Sequence, residues 1–501
     1  MRICLLTDSY PAGDARLKGD ETPCDPRPYL PDAEWEWVTL EKPTAVRRVI
    51  ELSRGGFDLS FNLCDGAWDE DRPGIEVVQA LERLNLPFTG ATSEFFEPSR
   101  EAMKRVCQAW GIGTPGYIIA HDEGDVARAA DTLRFPLIVK HPSSYGSVGL
   151  TNASRVETPD ALFVQARQMM EAHGGALVEE FIEGREFTVL VSENPDDPRS
   201  PTTYTPIEFR FPAGESFKHY DLKWVDYHEM HSVPVGELEL EARLREISST
   251  MFVALRGAGY GRCDIRVDAE GEPYMLEINP NCGIFYPPSD PGSADLCLLN
   301  DPTGHAGFTR QVIEAGLRRW RIRQRCWEVR QRPAGDYGLV ARRAIRPGER
   351  IITFEEQPHV LVTRAHAEKH WDTLHRAWFE RYAWPLTDEV WVIWGNDPEE
   401  WKPINHACEP TAWLEGLDLV ARSELQPGDE VTVDYATFYD ERMPSFACEC
   451  GAAACRGTIR GDDYLQDFVA RYGDHLSDHV RRRRGERRRE PFAIGPEPVA
   501  D

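Results

Sequence analysis

Four cysteines in the last third of the chain are spaced to close one metal site. Cys408 sits in the run Asn405-His406-Ala407-Cys408-Glu409-Pro410, and Cys448, Cys450 and Cys455 follow in CECGAAACRG. Thiolates bind zinc tetrahedrally, and a C-x-C-x4-C cluster with one distant cysteine supplies four sulfurs. Reduced thiols in a loop are the alternative; the tight spacing and the glycine-rich flanks favour zinc. A second set is made of oxygens. Gly261-Arg262-Cys263-Asp264-Ile265-Arg266-Val267 and Tyr274-Met275-Leu276-Glu277-Ile278-Asn279-Pro280-Asn281 are joined by the turn DAEGEP, a hairpin signal. Asp264 and Glu277 then lie on neighbouring strands, and Asn279, two residues beyond Glu277, shares its face. Magnesium prefers such ligands together with phosphate oxygens. An exposed acidic hairpin would not need Asn279 in phase with Glu277.

Upstream, Leu137-Ile138-Val139-Lys140 reads as a buried strand ending in a cation, followed by HPSSYGSVGL. A lysine there, beside a Ser/Gly-rich loop, can hold ATP phosphates by charge and backbone N–H groups. A surface loop with an incidental lysine is the plainer reading. From Ala176 to Thr188 an apolar strand runs into Glu179 and Glu180, then a glycine, then a second alternating strand.

These residues need a scaffold. Arg2 to Thr7 and Phe57 to Leu63 read as strands, and Pro73 to Asn85 has helical spacing with Ile75, Val78 and Leu81 on one face. Leu317 to Arg325 reads as the end of a basic helix, and Trp327 to Arg332 as a new strand. The chain has 501 residues, 41% hydrophobic, with fourteen tryptophans, enough for several packed domains. No run reaches the ~18 apolar residues that span a bilayer. The start, MRICLLTDSYPAGD, reads as a strand entering a loop, not as a signal peptide. Twelve cysteines, clustered only at the zinc motif, suit a reducing cytoplasm better than a disulfide framework. A formal net charge of −27 repels nucleic acid and anionic membranes. The exception is Arg481-Arg482-Arg483-Arg484-Gly485-Glu486-Arg487-Arg488-Arg489, read as a solvated tail in preference to a nucleic-acid contact, with an intramolecular contact to acidic surfaces as a further alternative.

In the last third, Asp336-Tyr337-Gly338-Leu339-Val340-Ala341, then Arg346-Pro347-Gly348-Glu349, NHACEP, GDEVTVDY ending at Tyr435, and CECGAAACRG resemble, in that order, the signature of SET-domain methyltransferases with a post-SET zinc cluster. The resemblance implies that Tyr337, Asn405 and His406 hold S-adenosylmethionine, that Tyr435 is the catalytic tyrosine, and that Cys408 ties the donor pocket to Zn2+. Asp336 stands where the family has glycine, and Thr411 where it has asparagine. The insert from His359 to Trp401 carries Trp371, Trp378, Tyr382, Trp384, Trp391, Trp394 and Trp401. It is either core or an aromatic wall around a methyl-accepting amine.

The first two-thirds, including FNLCDG and LNLPFTGATS, resemble the ATP-grasp superfamily in its D-alanine–D-alanine ligase branch. That resemblance implies Lys140 as the phosphate lysine, Glu179 as the adenine-side acid, and Phe181 with Ile182 as the hinge beside the base. It gives Glu186 to the ribose, Lys223 of the mobile loop to the terminal phosphate, and Arg262 to the oxyanion. Asp264, Glu277 and Asn279 become the Mg2+ ligands, with Gly283 a backbone donor. Arg100 replaces an early phosphate lysine, keeping charge but not point-like geometry; Lys104 is retained. The His-Gly-Gly and Ser-Ala-Glu signatures are missing, and Ile284-Phe285-Tyr286-Pro287-Pro288 replaces a serine-bearing segment, so D-alanine is not the expected substrate.

The expected fold class is an α/β (α+β) multidomain chain, an ATP-grasp fold followed by a β-rich SET domain. Its segments are an N-terminal lobe (1–98), the ATP-grasp domain (99–322), SET and post-SET (327–470), and a basic tail (471–501). The expected activity is ATP-dependent carboxylate–amine ligation combined with N-methylation; the alternatives are a protein-lysine methyltransferase with a nucleotide-binding ATP-grasp domain, or a ligase carrying a non-catalytic, zinc-stabilised SET binding module. Expected partners are small amino acids or peptides, or a protein lysine as methyl acceptor, with a homodimer implied by the ligase branch.

Overall fold

The run RICLLTD is apolar without alternation, and it forms β1 (Arg2–Asp8), the middle strand of a parallel three-stranded sheet in the computed structural model. That structure describes residues 1–8, 24–68, 70–142, 150–212, 214–219, 222, 230–332, 335–354, 359–394 and 401–487. It divides into two units, Met1–Arg323 and Gln324–Asp501. Ile3, Cys4, Leu5 and Leu6 are all buried, as a parallel strand covered on both faces requires. β2 (Glu34–Leu40) and β3 (Leu59–Asn62) flank β1. Helices Ala45–Leu52 and Ile75–Arg83 join the sheet, with Val49, Val77 and Val78 in one core with Cys4 and Leu6.

Helix Arg100–Trp110 follows. The Ser99 hydroxyl accepts from the Ala102 N–H at its start, and Gly111, at φ 69°, ends it. Two antiparallel sheets come next. β4 (Tyr117–Ala120), β5 (Leu137–Lys140), β6 (Arg155–Val156) and β7 (Ala176–Glu180) pair in the order β4-β7-β5-β6. β8 (Arg185–Ser192), β9 (Thr202–Thr203), β10 (Ile207–Arg210), β11 (His231–Pro234), β12 (Tyr260–Val267) and β13 (Pro273–Pro280) form the other, in the order β11-β10-β8-β12-β13 with β9 on β8. The crossing from β7 to β8 is tight: a Cβ on Gly184 would lie 2.1 Å from the Val267 carbonyl oxygen, at φ +141°. Only glycine fits there.

The second sheet is buried on both sides. Phe187, Val189 and Val191 of β8 pack with Leu244 and Met251 of helix Leu238–Ala254. Leu190 packs with Phe308 and Val312 of helix Gly304–Gln324, whose basic end matches the sequence expectation. Among the described residues no helix is long and apolar enough to cross a membrane.

The second unit is built from short strands. Trp327–Gln331 pairs with Tyr337–Ala341, and Asp418–Ala421 pairs with Arg350–Ile352 on one side and Ala412–Glu415 on the other. Asn405–His406 runs parallel to Thr432–Val433, which brings two distant motifs side by side. The aromatic insert divides in two. Trp384, Trp391 and Trp394 are buried in cores, whereas Trp378, Tyr382 and Trp401 form a ring cluster with Tyr337, their centroids 4.3–5.8 Å apart.

The expectation of a solvated basic tail is not met over Asp478–Arg487, which form a helix. His479 and Val480 are buried, and His479 Nε2 lies 2.7 Å from the buried Asp440 carboxylate. Arg482 reaches Asp388 at 3.2 Å, and Arg483 reaches Asp388 and Glu441. The arginines that looked like free charge have acidic partners from their own unit. Arg488 and Arg489 lie outside the described residues.

Candidate functional site

The faces of the two antiparallel sheets enclose a cleft of about 880 Å³, its open mouth included. Arg100, Lys140, Glu179, Phe181, Ile182, Glu186, Arg262, Asp264 and Glu277 all line it. Strand geometry explains the convergence. In β12, residues 262, 264 and 266 alternate onto one face, and the register sets Asp264 directly opposite Glu277 and Arg262 opposite Asn279. Asn279 Nδ2 donates to Asp264 Oδ2 at 3.1 Å and to Glu277 Oε1 at 3.4 Å. The Arg262 guanidinium grips Asp264 through Nε at 3.1 Å and Nη2 at 2.8 Å. Arg100 pairs with Glu277. Two carboxylates this close together, with a carboxamide beside them, suit a hard, oxygen-loving cation.

Glu179 sits at the cleft's floor, 1% exposed, between two lysines: Lys104 Nζ at 2.6 Å and Lys140 Nζ at 2.7 Å. Burial alone would raise the Glu179 carboxyl, but the two ammonium groups outweigh it and hold it well below the usual carboxylate range. Its contribution is complete above the ordinary value of 4.5 and is lost as pH falls below it. Removing one partner of a buried ion pair costs about 3–5 kcal/mol. Glu179→Ala, which strands two buried cations, is expected to lose at least that in chemical denaturation. A loss under about 1 kcal/mol would contradict the ion-pair reading.

Some cleft residues were not singled out from sequence. Arg266 stands opposite Glu186 across β8 and β12, donates to it at 3.0 Å, and lies 4.7 Å from the Phe181 ring centroid. Lys218 Nζ lies 3.7 Å from Glu186. The alternation Arg262, Asp264, Arg266 carried a signal for the first; nothing in the sequence pointed to the second. Lys223 falls outside the described residues, as do 143–149 of the loop after Lys140.

Beyond Asn279 the chain turns sharply. Asn281 and Phe285 both have positive φ, 48° and 69°, a conformation that costs a bulky side chain free energy. The buried Asp295 carboxylate holds the turn: it accepts from the N–H groups of Phe285 at 2.8 Å and Gly292 at 3.0 Å, and lies 2.8 Å from His305 Nε2. The Tyr286 hydroxyl packs over Gly283, 2.8 Å from where a Cβ would stand. Ser293, just past this loop, lines the cleft. The intervening loop hides this serine from the sequence motif.

In the second unit, the ligand atoms of Cys408, Cys448, Cys450 and Cys455 all lie within 4.8 Å of one another, the grouping a tetrahedral thiolate site needs. The Arg456 N–H donates to Cys408 Sγ at 3.3 Å and the Gly457 N–H to Cys455 Sγ at 3.4 Å, the outer contacts that steady thiolate ligands. Next to the sulfurs, His406 Nε2 lies 3.4 Å from Cys408 Sγ, and His406 Nδ1 accepts from the Tyr435 N–H at 3.2 Å. Tyr435 donates its hydroxyl to the Ile404 carbonyl at 2.8 Å. Asn405 Nδ2 donates to the Tyr337 carbonyl at 3.0 Å and to Glu430 at 2.8 Å. Tyr337, Asn405, His406, Tyr435 and the cysteines are thus one neighbourhood. The two sequence departures have local partners. Asp336 accepts from Arg332 at 3.0 Å, and the Thr411 hydroxyl accepts from the Thr432 N–H at 2.9 Å.

Residues 107–286 match the family described as D-ala D-ala ligase C-terminus, and residues 336–436 match the SET domain. The chain is 28% identical over 273 residues to the D-alanine--D-alanine ligase of Cupriavidus necator, covering 54% of this chain and 79% of that protein. It is 31% identical over 276 residues to the D-alanine--D-alanine ligase of Laribacter hongkongensis, covering 54% and 80%. Among solved structures, that of the D-alanine--D-alanine ligase from Bacillus anthracis complexed with ATP is similar at a TM-score of 0.51 and 23% identity. It spans 64% of this chain and 98% of that one, a likeness of fold.

Proposed function

We propose, since the chain belongs through its first unit to the family of D-alanine–D-alanine ligases, that it is a bifunctional enzyme: an ATP-dependent carboxylate–amine ligase joined to a SET-type N-methyltransferase. The observation that carries the ligase half is the pairing of Asp264 and Glu277, bridged by the Asn279 amide, in a cleft that Lys140 also lines. A substrate carboxylate takes the γ-phosphoryl group of ATP, releasing ADP and leaving an acyl phosphate. An amine then attacks the acyl carbon, phosphate departs, and the amine nitrogen gives up a proton. Magnesium, when bound, offsets charge on the phosphoryl oxygens. Lys140 and Arg100 add fixed positive charge at the cleft wall, and Phe181 and Ile182 offer an apolar bed for the base. Glu186, tied to Arg266, is the residue assigned to the ribose. Lys223 is assigned to the terminal phosphate on its sequence motif alone. Arg262, held in place by Asp264, is assigned to the oxyanion of the tetrahedral intermediate.

The acid and amine are proposed to differ from D-alanine. The support is the loop held by Asp295, with Tyr286 packed over Gly283. In the second unit, S-adenosylmethionine supplies the methyl group and its own leaving group. Tyr337, Asn405 and His406 are proposed to hold it, and Tyr435 to align a neutral amine for attack. Zinc is proposed at the four cysteines as a structural ion. Those thiols must stay reduced to bind it, which supports a cytoplasmic setting.

Gly338 supplies a local check. A methyl there would stand 2.6 Å from Glu430 Oε1 and 2.9 Å from Asn405 Nδ2. Gly338→Ala is therefore expected to displace Asn405 and weaken S-adenosylhomocysteine binding by about tenfold, ~1.4 kcal/mol, read by calorimetry. Undiminished affinity would remove Asn405 from the donor site. For the whole reading, the test is a mass-spectrometric screen of amino acids with ATP, magnesium and S-adenosylmethionine. A condensation product carrying an added methyl supports both halves acting on one small molecule. Methylated protein lysines with no condensed product would leave only the second half standing.

A further inference from the structure

Asp434, which directly precedes Tyr435, is 1% exposed and gathers more partners than one carboxylate in a strand end requires. Arg456 binds it through both guanidinium nitrogens, each at 2.7 Å. The Tyr472 hydroxyl donates at 2.7 Å, the Ala436 N–H at 3.1 Å, and Arg471 lies at 3.4 Å. His406 Nδ1 is 3.6 Å away. Two of these partners are joined to the cysteine cluster. Arg456 follows Cys455 and gives its backbone N–H to Cys408 Sγ. Arg471 also donates to the Cys408 carbonyl. On its other side, Asp434 is contiguous with Tyr435, whose N–H orients the His406 ring. One buried carboxylate therefore bonds the segment that binds the metal and adjoins the residues assigned to the methyl donor.

We propose that Asp434 is a positioning residue that couples the two sites: metal at the cysteines and donor at Asn405 and His406 each strengthen the other through the Asp434–Arg456 pair. The inference rests on the donor and zinc assignments given above. Coupling between two binding equilibria is reciprocal, so it is readable from either end. A guanidinium held by two bonds fixes both position and angle, which a lysine ammonium does not reproduce. A carboxamide at 434 keeps the shape but loses the charge that holds Arg456.

The test uses the full chain loaded with zinc and measures zinc release to a colorimetric chelator, with and without saturating S-adenosylhomocysteine. In the natural protein the nucleoside is expected to slow release about tenfold, an effect of the size found for linked sites. In Asp434→Asn and Arg456→Lys, zinc still binds at one ion per chain and the nucleoside still binds at higher concentration. The slowing falls to under about twofold in Asp434→Asn and partway in Arg456→Lys. A merely structural role would lower stability without uncoupling the two ligands. Tenfold slowing retained in Asp434→Asn overturns the inference, as does nucleoside binding to the natural protein with no effect on release; both leave the proposed function intact. A natural protein that binds no S-adenosylhomocysteine overturns the donor assignment and this inference together. If Asp434→Asn does not fold, Arg456→Lys decides by itself, and retention of full coupling there counts against the pair.

Discussion

Replacing Arg262 with alanine is expected to stop phosphate release on adding amino acids while leaving ATP binding within a few-fold of the natural protein. Arg262 lies in the cleft with its guanidinium fixed by two bonds to Asp264. In the proposed role it would be held in place before substrate arrives, leaving little reorganisation for the transition state. Losing one such donor to a developing oxyanion typically costs about 2.7–4 kcal/mol, roughly a hundred- to a thousandfold in kcat. The loss should appear in kcat more than in the apparent affinity for ATP, because the interaction grows with charge on the acyl centre. Arg262→Lys keeps a charge without the fork and is expected to fall between the two. Unchanged turnover in the alanine variant would remove Arg262 from the chemistry.

The second large effect is expected at Cys408. Cys408→Ser leaves three thiolates in a cluster whose sulfurs now lie within 4.8 Å of one another. Zinc content measured by elemental analysis should fall well below one ion per chain. Structural zinc contributes about 10–16 kcal/mol to folding in small zinc-finger peptides. Here the neighbouring core of Leu339, Val392, Leu419 and Val431 is separate from the sulfurs, so the second unit should lose stability without losing its strands. The variant also removes the sulfur that accepts from Arg456. Donor binding is thus expected to weaken along with metal. A fully loaded serine variant with undiminished stability would contradict the four-sulfur site.

The cleft was largely legible because strand alternation is a strict rule. Once Asp264 and Glu277 stand on adjacent strands, positions 262 and 279 share their face, and 266 follows through the regular pairing of β12 with β8. Arg266 was nonetheless passed over, since its role appears only when Glu186 on β8 is set opposite it. Glu179 was legible as a cleft residue, but its clasp by Lys104 and Lys140 joins segments far apart in the chain. Ser293 was hidden by the loop that precedes it. The cysteine spacing announced the sulfur cluster, whereas Asp434's partners, Arg456, Arg471 and Tyr472, carried no spacing signal at all. The favoured reading of the arginine run as a solvated tail failed for a related reason. Its acidic partners Asp388 and Glu441 come from elsewhere in the unit, and local composition cannot reveal them. The tryptophan-rich insert showed its aromatic density in sequence, but its division between core and a half-exposed cluster beside Tyr337 depends on tertiary packing.

The most direct measurement is calorimetric titration of the full chain with ATP, in the presence and absence of magnesium, for the natural protein and for Glu277→Gln. One nucleotide is expected per chain, with binding that depends on magnesium and loses that dependence when the Glu277 carboxylate becomes an amide. A purified protein that takes up no adenine nucleotide, or one whose magnesium dependence survives Glu277→Gln unchanged, would contradict it.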